Sequence, residues 1–249
     1  MEDRDWSQER GVADEASFNA FVTLYGGELI APRIERQNIK NADYLFPAAK
    51  IVGEHKFLEA DFAQSPETVA KVDAIFARYA GEDLTVETHP AYRELFSVLR
   101  TPIRRRIEKA NKQIKGAKKE LGLIDHRGVV FLVNDSFRSA PPGLVMDLIR
   151  SVLDEKDRYR NVEAVIYITN HYVETAESPL AGLLWAPAYN GYPSHKPVDF
   201  LDRLGSHWGD FIEDKIGPFD GGWKGDTIDW HRAHVVTGIN RAERYEGDN

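Results

Sequence analysis

The sequence predicts an α/β protein in which helices cover a single sheet, and two local patterns carry that expectation. The first is a βαβ signature. Residues 129–133 form an unbroken β-branched and aromatic run, 141–153 an amphipathic helix, and 162–169 a second strand-like run. Units of this kind build sheets covered by helices. The second is a pair of short strand-like runs, Tyr44–Phe46 and Ile51–Leu58, split by Pro47 and a few residues, which reads as an antiparallel hairpin.

Taken in order, residues 1–13 are polar and acidic, with Trp6 and Val12 their only sizeable apolar groups, and are expected to be frayed or loosely docked. Phe18, Phe21, Val22, Tyr25 and Leu29 recur at steps of three and four, so a helix is expected over 14–30, weakened in its last turn by Gly26 and Gly27. After the hairpin, Ser65, Pro66 and Glu67 start a helix that Val69, Val72, Ile75, Phe76 and Tyr79 continue until Gly81. Thr101 and Pro102 start another, in which Ile103, Ile107, Ala110, Ile114, Ala117 and Leu121 make a narrow apolar seam. Beyond the βαβ unit, the last eighty residues are rich in Gly, Pro and Trp, with one helix expected over 199–212. There is no internal repeat and no long linker, so a single domain is expected.

Composition excludes several classes. The chain has 249 residues, 42% of them hydrophobic, which is ample for a core and excludes collagenous or wholly disordered chains. It has no cysteine, which removes disulfides, thiolate metal sites and a cysteine nucleophile. No apolar run approaches the ~20 residues of a spanning helix, and the first ten residues lack the basic and apolar regions of a signal peptide. A cytoplasmic protein without membrane contact is the expectation. The formal charge of −8 argues against a uniformly basic nucleic-acid coat. Residues 100–119 reverse that sign, with nine Arg or Lys against the single acid Glu108.

The chemistry-bearing group lies in the hairpin. Side chains at i and i+2 of a strand leave the same face, so Glu54 and Lys56 project together, and Asp43 on the partner strand can reach that face. Two carboxylates beside a lysine make an oxygen-rich site suited to Mg²⁺ or Mn²⁺. The chain has two other acid-x-Lys pairs, Asp154/Lys156 and Glu213/Lys215, but both fall at helix ends, where i and i+2 diverge. Without the metal, Glu54 and Lys56 read as a surface ion pair worth about 0–1 kcal/mol.

The order helix (14–30), strand with Asp43, strand with Glu54-His55-Lys56, strand (129–134), helix (141–154), strand (162–169) resembles the PD-(D/E)xK nuclease superfamily, the restriction-endonuclease-like fold with an αβββαβ core. The stretch NADYLFPAAKIVGEHKFLEAD is similar to that family's motif region. The resemblance covers about 14–60 and 128–170, leaving 61–127 as a helical insertion and 171–249 as a C-terminal extension. It implies Asp43 and Glu54 as metal ligands, the main-chain carbonyl of His55 as a further ligand, and Lys56 as the group that orients or activates the attacking water. Mg²⁺ or Mn²⁺ is the implied cofactor, and phosphodiester hydrolysis, in DNA above all, the implied reaction. Ala42 stands where the family often has Pro, and Glu28 or Glu35 is available as an added helix glutamate.

The basic segment fits such a substrate, since Lys and Arg neutralise phosphate, and Arg104, Arg105, Arg106, Lys109 and Lys112 are its candidate contacts. In this superfamily Lys112 and Gln113 could also approach the active site. The alternative is a non-catalytic nucleic-acid-binding or assembly protein on the same fold. The aromatic C-terminal region is open to covering the sheet, forming a homodimer or sensing a ligand. His207, His231 and His234 offer a second donor set but no HExxH string, and Asn134-Asp135 and Asn170-His171 follow strands, where α/β sheets often place ligands. Neither GxxxxGK[ST], GxGxxG nor GxSxG occurs.

Overall fold

The structure is a computed structural model that describes residues 7, 10–34, 41–83, 89–155, 157–175, 181–191, 195–217 and 229–236. Its elements run α1 (Glu15–Leu24), β1 (Glu28–Leu29), β2 (Tyr44–Phe46), β3 (Ile51–Leu58), α2 (Pro66–Arg78), α3 (Pro90–Glu120), β4 (Arg127–Asn134), α4 (Pro142–Leu153), β5 (Ala164–Thr169), β6 (Val173–Glu174), β7 (Ala181–Gly182), β8 (Trp185–Tyr189), α5 (His195–Ile216) and β9 (His234–Val235). Six strands form one mixed sheet in the order β1-β2-β3-β4-β5-β8, and β7-β6-β9 form a small second sheet. The pairs β3–β4 and β4–β5 are parallel and the other neighbours antiparallel. The expected α/β class and hairpin are present.

Strand alternation splits the interior into two layers. Leu45, Val52, Val130, Leu132, Val165 and Tyr167 face α3 and α4. Tyr44, Phe46, Ile51, Phe131, Ile166 and Ile168 face α1 and α5. The central sheet is therefore covered by helices on both faces.

Four elements depart from expectation. The first helix stops at Leu24, not at 30, because Gly26 takes the left-handed φ of +81°. Gly27 then packs so closely that an added Cβ would lie 2.4 Å from Val22 Cγ1 and 2.8 Å from Phe46, and the chain enters β1. Next, α3 begins at Pro90 and passes through Pro102, although a proline normally marks a helix start or break. Tertiary contacts carry it: His89 Nδ1 caps Ala91 N at 3.1 Å, Glu94 accepts from Arg78 and Tyr79, and Arg100 donates to Ser151 O. Thirdly, 61–127 was expected as an insertion. It supplies the crossover from β3 to its parallel neighbour β4, a connection that parallel pairing requires. Finally, the C-terminal part is no mere appendage, since β8 adds an antiparallel strand to β5 and α5, longer than expected, buries Trp208 against Phe18 and Phe21.

Near the amino terminus, Asn170 holds the described residues in place, accepting from Gly11 N at its carbonyl and from Ala13 N at Oδ1, both at 3.0 Å. Ser7 O accepts from Arg138 at 2.6 Å, and residues 1–6, 8 and 9 lie outside the described residues. Among the described residues no helix is long and apolar enough to cross a membrane.

Candidate active site

The β2–β3 hairpin sets the site's geometry. Its turn closes with Lys50 at a positive φ of 53°, and the register pairs Tyr44 with Gly53. One step further, Asp43 lies across from Glu54. Its backbone is fixed on both sides, with Asp43 N donating to Gly53 O at 3.1 Å and Ile30 N donating to Asp43 O at 2.8 Å. Asp43 Oδ2 accepts from His55 N at 2.7 Å, which aims the carboxylate along β3.

Glu54 has no exposed surface and lies opposite Val130. Lys56, with 14% of its side chain exposed, forms an ion pair with Glu54 Oε1 and donates to His55 O at 3.1 Å. Glu54 Oε2 is buried and receives no N–H or O–H donor, and the Glu54 and Asp43 carboxyls lie within hydrogen-bonding reach of each other. Burial first, and the facing Asp43 second, push the Glu54 carboxyl up to about 8 against the pull of Lys56. Burial likewise raises Asp43, opposed by the His55 N–H and Lys56. The structure thus brings Asp43, Glu54, Lys56 and the His55 carbonyl together.

The opposite face of β3 is apolar. His55 stacks on Phe18 at 4.4 Å, and Tyr44 Oη lies 2.8 Å from Asn19 Oδ1 and 3.4 Å from His55 Nδ1. Burial and the nearby Lys56 charge lower His55 to about 3, so the ring is neutral. This packing keeps the imidazole off the acidic face and leaves its main-chain carbonyl as the group presented there.

The added carboxylate is placed differently from expectation. Glu28 pairs with Arg33 at 2.7 Å on the outer strand, and Glu35 lies outside the described residues. Glu15, in the first turn of α1, is the acid whose charge reaches Asp43 and Tyr44. Sequence reading missed it because a helix start twenty-eight residues upstream of Asp43 reaches the hairpin only through the packing of α1 on the sheet. The signal available was Asp14-Glu15 at the helix cap.

The cationic segment divides. Arg106 turns inward, its Nε donating to Phe57 O at 2.7 Å, and Arg104 has Nε buried without a partner. Arg105, Lys109 and Lys112 are exposed and, with Glu108 and Gln113, line a cleft of about 350 Å³. Gln113 Nε2 donates to Asn41 O at 3.0 Å, two residues before Asp43.

The histidines do not assemble. His207 stacks on Tyr25, His231 on Trp230, and His234 pairs with Glu174 in the small sheet. Among the described residues no three His, Asp or Glu side chains gather as a metal cage. Asn134 and Asn170 turn the chain, Asn134 bonding to Phe137 and Tyr167 and Asn170 to Asp135. No protein-family model matches the chain, and neither the curated proteins nor the solved structures contain a match to it.

Proposed function

We propose that the protein is a divalent-metal-dependent nuclease of the PD-(D/E)xK type that hydrolyses phosphodiester bonds in DNA. The observation that carries this reading is the convergence of Asp43, Glu54 and Lys56, with the two carboxyls buried against each other. Two buried carboxyls this close resist ionising together, and a bound cation would offset that by holding both as carboxylates. The donor set is all oxygen, two carboxyls and the His55 carbonyl, which suits Mg²⁺ or Mn²⁺. The element order adds support in a register one strand earlier than the sequence suggests: α1, β1, β2 and β3 are followed by the helix pair α2–α3 and by β4, an αβββαβ order with Asp43 at the second strand and Glu54 on the third.

In this reading Asp43 and Glu54 hold the cation, which when bound supplies Lewis-acid stabilisation of charge on the scissile phosphate. Lys56 has three N–H donors, two of them engaged by Glu54 and His55 O, and the third orients the attacking water. Val130 and Leu132, the β4 partners of Glu54 and Lys56, make the apolar flank of that face. A second reading, nucleic-acid binding without cleavage, is favoured by the cationic cleft alone.

The test is cleavage of supercoiled plasmid and single-stranded DNA with Mg²⁺, Mn²⁺ or EDTA. Metal-dependent cleavage that disappears in Lys56→Ala supports the nuclease. Cleavage that survives intact in Lys56→Ala and Glu54→Gln overturns it.

A further inference from the structure

The cleft on α3 is built almost wholly from one helix. Arg105, Glu108, Lys109, Lys112 and Gln113 follow steps of three, one, three and one, which puts them on a single stripe. The three cations span about 10 Å along the axis at 1.5 Å per residue. That length matches about three nucleotides at the 3.4 Å per-strand spacing of duplex phosphates. None of the lining side chains is aromatic, so the cleft offers charge and hydrogen-bond donors but no stacking platform. Arg105, Lys109 and Lys112 are exposed, Glu108 accepts from Lys112 at 3.3 Å and Arg158 at 3.7 Å, and half-buried Gln113 donates to Asn41 O.

Two contacts tie this stripe to the acid pair. Gln113, at one end, donates to the carbonyl of Asn41 just before Asp43, and its Oε1 is buried without a partner. Arg106, on the inward side of the same turns, holds the carbonyl of Phe57 next to Lys56. The helix that carries the cations is therefore hydrogen-bonded to both strands that carry the acids and the lysine.

We infer that this cleft binds the sugar–phosphate backbone of the nucleic acid and leads it towards Asp43 and Glu54, with Arg105, Lys109 and Lys112 as phosphate contacts and Arg104 and Arg106 as structural residues. The inference rests on the nuclease reading for the direction of the track and for the choice of a nucleic acid. Binding of this type is independent of base sequence and falls steeply with salt.

The experiment measures anisotropy of labelled duplex DNA, single-stranded DNA and RNA in EDTA across a salt series, each in two unrelated sequences. Arg105→Ala/Lys109→Ala/Lys112→Ala should weaken binding at least ~10-fold and flatten the log–log salt slope by about two to three, one for each phosphate contact removed. Lys115→Ala/Lys119→Ala, exposed on the same helix outside the cleft, should change it far less. The three probes identify which backbone is preferred. Unchanged binding in the triple variant, equal loss in the control, or no binding by the wild type overturns the track. Cleavage is scored separately: salt-dependent binding through the cleft without metal-dependent cleavage keeps the track and removes the nuclease, and cleavage with binding indifferent to the triple variant does the reverse.

Discussion

A carboxyl with no exposed surface ionises only with compensation, and Glu54 has only part of it, one oxygen on Lys56 and the other towards the Asp43 carboxyl. With its pKa raised to about 8, metal-free Glu54 is mostly protonated at pH 7, so Glu54→Gln, which keeps the shape and neutral character, should melt close to the metal-free wild type. A large drop would mean that Glu54 serves the fold. Asp43, Glu54 and Lys56 were legible in the sequence because strand alternation fixes relative direction over two residues and a hairpin fixes it over ten. Glu15 was not, because its approach depends on how a helix docks. A second residue-scale prediction concerns His171, which is 1% exposed. Burial, with Arg10 adding to it, lowers its pKa from 6.5 to about 4. The unfolded chain therefore binds a proton first as pH falls, so this contribution to stability is complete above about 6.5 and is lost towards 4. Urea unfolding at pH 7 and pH 5 should show that loss in the wild type and a smaller one in His171→Phe; equal losses would exclude His171 as the source.

At the scale of elements, α3 is where local and tertiary preferences conflict. A helix-interior proline removes a hydrogen bond and costs about 3 kcal/mol relative to Ala, partly returned through the stiffer unfolded chain. Pro102→Ala should therefore stabilise the protein by about 1–2 kcal/mol in denaturant unfolding. A destabilised variant would show that α3 needs the proline's shape at that turn. The same conflict hid the helix's first three turns from the sequence, since Thr101-Pro102 is a good start signal and the anchors at His89, Glu94 and Arg100 are long-range. Conversely, the seam of Ile103, Ile107, Ala110, Ile114 and Ala117 was legible and is buried throughout. Strand β1 escaped notice because two residues carry no period.

Across the molecule, the sheet is completed only by the C-terminal part. Strand β8 pairs with all but one residue of β5, and α5 covers Phe18, Phe21 and Phe131 through Trp208 and its neighbours. Truncation after Asn170 would expose that whole layer, so the shortened chain should lose its near-ultraviolet circular dichroism and aggregate; a soluble, cooperatively melting fragment would show that β8 and α5 are dispensable. Sequence alone did not reveal this role, because Trp185–Tyr189 contains a proline and alternates only weakly. In the proposed nuclease the two acids of the hairpin form one divalent-cation site on this helix-covered sheet. Calorimetric titration of the purified protein with Mn²⁺ tests it most directly. One site per chain is expected, abolished in Glu54→Gln and Asp43→Asn and retained in Arg105→Ala/Lys109→Ala/Lys112→Ala. Absence of binding in the wild type, or undiminished binding in Glu54→Gln, would contradict it.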